Sequence, residues 1–182
     1  MKNISMMKKV LSILMAAAMM FALGANVLAA DEADAAAHTV TIYVQEATRN
    51  EKGDVTSTYV YNQDSPIVVT VDDGQTLKDA INKACAQSGS VITNPVWKST
   101  DNQYLISLNV LGAAYENYDT YEYDTPEVGK TTYEGLSWMY FIGAPEDMLA
   151  SSYDYPDVSL GRAEVKSDVT FTLSYEYLTY VW

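Results

Sequence analysis

Glu116, Asp119, Glu122 and Asp124 stand two or three residues apart, interleaved with Tyr115, Tyr118, Tyr121 and Tyr123. Two carboxylates facing each other across a cleft are all that glycoside hydrolysis asks of side chains. Asp119, Glu122, Asp124 and Glu127 are also hard oxygen donors of the kind calcium takes, although their spacing is not that of the twelve-residue calcium loop. The run is poor in apolar residues, and a solvated acidic loop accounts for it without any site. The expectation is therefore no catalytic residue and no metal ligand, with calcium the one cation these donors suit.

Other chemistry is sparse. His38 is the only histidine and Cys85 the only cysteine. A serine or cysteine nucleophile would need His38 folded far back onto the body, and a zinc site lacks its ligands. Cys85 has apolar neighbours in a helical pattern and reads as a buried small side chain. No glycine-rich phosphate loop and no dinucleotide fingerprint is present. What the chain does offer is tyrosine: 15 Tyr and 3 Trp against 3 Phe. Tyrosine joins a large apolar face to a hydroxyl, which suits flat or sugar-like ligands. Tyr115, Tyr118, Tyr121 and Tyr123 precede a strand carrying Trp138, and Tyr153 and Tyr155 follow it. If the two flanking loops met at one rim, these residues would form an aromatic, acidic lip able to stack on a sugar, a corrin edge or a partner side chain.

The first residues read as an export signal. Lys2, Lys8 and Lys9 precede an apolar run over 10–23, and Val27, Leu28 and Ala29 suit cleavage after Ala29. Residues 1–29 are then a signal peptide, 30–37 a flexible lead and 38–182 one domain, an ordinary size for a single core. The three lysines leave with the signal, so the 24 acidic residues face eight basic ones and the net charge moves from −13 to −16. Such a field disfavours nucleic acid and anionic lipid surfaces. The expected location is secreted or cell-surface, with no membrane association after cleavage.

Val40, Ile42 and Val44 alternate with polar residues and predict a strand; 56–61 predicts its hairpin partner and 67–71 a third strand. Thr76 and Asp79 predict a capped helix over 77–87, with Leu77, Ala80, Ile81, Ala84 and Cys85 on one stripe and Gly89 as its stop. Further strands are expected over 91–97, 103–112, 136–142 and 169–177, with Tyr104, Ile106, Leu108 and Val110 sharing a face. Residues 116–132 and 143–161 read as loops. Six or seven strands and one dominant helix give an α+β class with a mixed or antiparallel sheet packed on the helix.

Four blocks carry a resemblance: Asp73-Gly74-Gln75-Thr76-Leu77-Lys78-Asp79-Ala80, Tyr104-Leu105-Ile106-Ser107-Leu108-Asn109, Leu136-Ser137-Trp138-Met139-Tyr140-Phe141-Ile142-Gly143, and Val165-Lys166-Ser167-Asp168-Val169-Thr170-Phe171. In this order the chain resembles the DUF4430 domain family, which is similar to the C-terminal domain of transcobalamin and intrinsic factor. The resemblance implies a β-grasp-like fold, strands wrapped across one helix, over nearly all of 40–177. It also names cobalamin or another corrinoid as a candidate ligand. The reading is a secreted, non-catalytic ligand-binding or adhesion module. A carbohydrate-binding module and a structural or protein-interaction subunit of an extracellular assembly stand as alternatives.

Overall fold

The first and last strands of the domain lie side by side and run parallel, and the rest of the architecture follows from that pairing. In the computed structural model, residues 36–50, 54–98, 102–123, 131–150 and 156–181 are described. The proposed signal peptide and most of the lead lie outside them. Strand β1 (Ala37–Arg49) pairs in parallel with β9 (Val169–Val181), from Val40↔Val169 to Thr48↔Tyr177. The Asp168 carboxylate accepts the Thr39 N–H at 2.7 Å, fixing the start of that register. β9 pairs antiparallel with β8 (Thr131–Ile142), and β8 with β7 (Tyr118–Tyr123). On its other side β1 takes β3 (Ile67–Asp72) along one half and β2 (Val55–Val60) along the other. The result is a six-stranded mixed sheet.

A second, three-stranded antiparallel sheet holds β4 (Ile92–Trp97), β5 (Leu105–Val110) and β6 (Ala113–Glu116). Helix α1 (Leu77–Ala86) begins at the expected capping box, in which the Thr76 hydroxyl accepts from the Asp79 N–H and the Asp79 carboxylate from the Thr76 N–H. Its first turn leaves N–H groups without intrahelical partners; Leu77 and Lys78 give theirs to the Ala163 and Leu160 carbonyls. Leu77, Ala80, Ile81 and Ala84 are buried in one core with Val40, Ile42, Val44, Phe171 and Leu173 of the large sheet and Ile92, Leu108 and Val110 of the small one. A mixed α+β topology with a large sheet packed on one main helix is thus present, an arrangement consistent with a generic β-grasp.

The opposite face of the large sheet is buried but polar. Gln45, Thr172, Ser174 and Glu176 have no exposed surface. Arg49 grips Glu176 through two hydrogen bonds, of 2.6 and 3.1 Å. The short helix α2 (Pro145–Ala150) sets Met148 on this face beside Ala47 and Phe141.

Several expectations change. Among the described residues there are nine strands rather than six or seven. Residues 116–132 are not one loop, because β7 and the start of β8 form a hairpin there, and 143–161 contains α2. The helix ends at Ala86 with Gln87 as its C-cap, so the left-handed Gly89 (φ +75°) stands beyond the cap, and Cys85 is only half-buried against the core. β1 starts at Ala37, the last residue assigned to the lead. The strand after Tyr104 joins the small sheet, not the one beneath the helix, and buries Leu105, Leu108 and Val110 while Tyr104 is exposed. Its alternation slips because the facing strand β4 is irregular, with register shifts after Thr93 and Val96 and Asn94 at φ +52°.

Candidate functional site: a notch where the sheets part

β6 and β7 are one run of chain that changes sheets at Asn117. Up to Glu116 it pairs with β5, opposite Ser107; from Tyr118 it pairs with β8, opposite Leu136. Asn117 holds the bend on three sides. Its N–H donates to the Ile106 carbonyl at 2.8 Å, its Nδ2 to the Leu105 carbonyl at 3.2 Å, and its Oδ1 accepts from the Trp138 N–H at 2.9 Å. One side-chain amide therefore ties the small sheet to the large one. Beyond this staple the sheets diverge and leave a notch.

Strand β8 forms one wall. In an antiparallel ladder, successive residues send their N–H and C=O to opposite sides. The Gly143 N–H donates to the Thr170 carbonyl near the start of β9, whereas the Trp138 N–H points at Asn117. Odd-numbered residues of β8 therefore serve β9 and even-numbered ones face the β7 side. β7 reaches only as far as Leu136, so among the described residues the main-chain groups of Tyr140 and Ile142 meet no strand.

A cavity of about 280 Å³ lies here, between β8, the start of β5 and the segment 156–160. Its aromatic wall is fixed in place. The Trp138 indole N–H donates to the Tyr115 carbonyl at 3.0 Å, and the Trp138 ring leans on Tyr175 at 5.1 Å between centroids. The Tyr140 hydroxyl donates to the Val158 carbonyl. Ser159 donates through Oγ to Gln103 Oε1 at 3.2 Å, and the Gly161 N–H to the Gln103 carbonyl at 3.1 Å. Gly161 permits this approach because a Cβ there would stand 2.7 Å from the Gln103 Cα. The rim is apolar: Tyr104 and Val158 are 51% and 44% exposed.

The tyrosine hydroxyls around the notch are held neutral. Burial raises the pKa of Tyr140. Burial, then the Glu116 and Glu46 carboxylates, raise that of Tyr175. Burial and hydrogen bonds to Glu46 and Tyr115 raise that of Tyr61. Tyr115 feels a lowering hydrogen bond from Tyr61, outweighed by burial and Glu46. These groups orient rather than exchange protons. Asp157 is the one carboxylate among the lining residues, so the wall offers no facing acid–base pair.

The residues expected to bind are distributed unevenly. Trp138 is buried yet lines the cavity. Tyr115 lies in β6 rather than a loop and serves as a strut, with its ring 6.3 Å from Trp138, 5.2 Å from Tyr175 and its hydroxyl 2.7 Å from that of Tyr61. Tyr118 opens β7, not a loop, and is 62% exposed. Its partner Leu136 packs on the core, so Tyr118 stands on the same sheet face as Trp138. Tyr121 and Tyr123 also belong to β7, but their side chains lie outside the described residues, as do Tyr153 and Tyr155 altogether. Of the candidate calcium donors, Asp119 is exposed on β7, the Glu122 side chain is outside the description, and so are Asp124 and Glu127. Among the described residues no cluster of metal-ligating side chains occurs, and no helix is long and apolar enough to cross a membrane. His38 hydrogen-bonds Asp73 at 2.9 Å, far along the chain from the notch residues.

Asn117, Gln103 and the segment 156–160 were not legible as site residues. The only sequence signal was punctuation: Pro156 and Gly161 bracket a segment whose ends are pinned. Compared with protein-family models, curated proteins and solved structures, the chain matches none.

Proposed function

We propose that this chain is an exported, non-catalytic module that captures a ligand in the notch beside Trp138. The observation that carries this reading is the preformed cavity, whose aromatic wall is locked by neutral hydrogen bonds while Tyr104 and Val158 stay open at its rim. Sites of this kind combine an apolar surface with a few fixed polar groups. At about 280 Å³ the cavity lies near the lower end of the roughly 300–1,000 Å³ common for such sites. It suits one ring or one edge of a larger molecule. A sugar ring and the edge of a corrinoid both meet that description, the second in keeping with the resemblance to the DUF4430 and transcobalamin domains. Secretion or cell-surface display follows from the signal-like leader, and the net charge of −13 disfavours nucleic acid and anionic membranes.

The test is a calorimetric titration of residues 30–182 with cobalamin, with neutral glycans and with calcium, repeated on two variants. Tyr104→Ala should weaken any ligand about tenfold by removing one stacking face. The paired change Tyr121→Ala and Tyr153→Ala should leave it unchanged. The opposite ranking would move the site from the notch to the tyrosine-bearing segments.

A further inference from the structure

We infer that the notch accepts an extended, basic polypeptide segment, which adds to the free upper edge of β8 as an antiparallel strand. This rests on the notch being the binding site and names its ligand class. Three observations converge. The first is the edge. Tyr140 and Ile142 direct N–H and C=O away from β9, where among the described residues no strand follows β7 and where the cavity opens beside Tyr140; they lie two residues apart and therefore about 7 Å apart along the strand. That is the repeat of another strand, and a rigid sugar or ring does not reproduce it. Asn117 already supplies the first rung by accepting the Trp138 N–H, so an added strand continues the line of β7 with its C-terminal end against Asn117.

The second is the cavity, which opens directly on this edge. Strand addition draws affinity from main-chain hydrogen bonds and specificity from a pocket for alternate side chains. The cavity is floored by Trp138 and rimmed by Tyr104 and Val158, and it takes one apolar side chain of the incoming strand.

The third is charge. Asp157 lines the notch, while Glu116 and Asp119 flank the Asn117 bend and are exposed. The whole chain carries −13. An incoming strand with lysine or arginine at its solvent-facing positions is attracted, and an acidic one is repelled. Residues 137–142 also carry no lysine or proline, two of the usual protections of an open edge.

The test is selection of binders to residues 30–182 from a displayed library of random seven-residue peptides. The enriched peptides should alternate apolar with basic residues. Ile142→Pro removes one donor from the free edge and none from the β9 ladder, and it should weaken the best peptide about tenfold. Should that variant fold poorly, N-methylation of the peptide supplies the same test on unaltered protein: methyl groups at one set of alternate residues should abolish binding and at the other set leave it intact. Failure to enrich any peptide, or binding indifferent to methylation register, overturns the inference. If a glycan or corrinoid then binds and responds to Tyr104→Ala but not to Ile142→Pro, the notch reading stands without strand addition. If no ligand responds to Tyr104→Ala, both fall.

Discussion

The two halves of β8 differ both in residues and in neighbours. From Thr132 to Leu136 the strand is paired on both sides, with β7 and β9; from Ser137 to Ile142, among the described residues, it keeps β9 alone. Yet the upper half has the composition of a central strand. Trp138 and Tyr140 pack into the main core on one face, while Phe141 is buried with Ala47 and Met148 on the other. From Trp138 to Phe141 the strand is largely covered on both faces, and among the described residues what it leaves open on its β7 side is chiefly main-chain hydrogen-bonding capacity. The difference arises at one residue, Asn117, where the neighbouring chain bends away to join the second sheet. The binding proposed here would come from the interruption of a regular pattern rather than from a cluster of reactive side chains.

The comparison is broken most severely by removing the core that supports both halves. Ile81→Asp would bury a charge among apolar neighbours and should cost about 4 kcal/mol or more in urea unfolding; near-wild-type stability would remove α1 from the core. Next comes the buried face behind the sheet. Glu176→Gln leaves Arg49 without its carboxylate and should cost about 3 kcal/mol, whereas an apolar replacement of both partners should recover much of that loss.

Asn117→Ala acts at the boundary itself. Losing the bridge between the Leu105 carbonyl and the Trp138 N–H should cost about 1–3 kcal/mol. Exchange of the Trp138 amide should quicken while that of Met139, bonded to β9, holds. Gly161→Ala presses a methyl on the Gln103 backbone and should cost about 1–2 kcal/mol. Ligand affinity should fall with it, because the clash displaces the segment that forms the notch wall.

The smallest effect is alkaline. Burial pushes the Cys85 thiol up to about 11 from its ordinary 9.0, and burial also raises Tyr140 and Tyr175. Acids raised in the folded state favour folding below their unfolded pKa, and that contribution is lost as pH climbs through the folded value. Melting temperature should therefore hold up to about pH 9 and decline toward pH 11, and Cys85→Ala should flatten the first part of that decline. A melting temperature that rises over this window would refute the assignment.

Much of the scaffold was legible because its signals are local. The alternation of Val40, Ile42 and Val44 and the Thr76–Asp79 capping box each depend on a few adjacent residues. The site was less legible because it is non-local. Nothing near Asn117 announces that its amide will span two sheets, and the slip of β5 depends on irregularities in β4, its partner strand. Residues 116–123 looked like a solvated loop because tyrosines and carboxylates alternate there. In β7 the same alternation is that of a strand, with Tyr118 facing as Leu136 does. Trp138 was identified from its type, and its role as a fixed wall rests on the Tyr115 carbonyl contributed by another sheet.

Among the described residues β8 above Leu136 has no strand on its β7 side, and this edge is the proposed binding address. Residue-resolved amide hydrogen exchange tests it directly. In the free protein the Tyr140 and Ile142 amides should exchange far faster than those of Leu136, Met139 and Phe141, and the best selected peptide should protect Tyr140 and Ile142 specifically. Slow exchange of both in the free protein, or peptide binding that leaves both unprotected, would contradict the account.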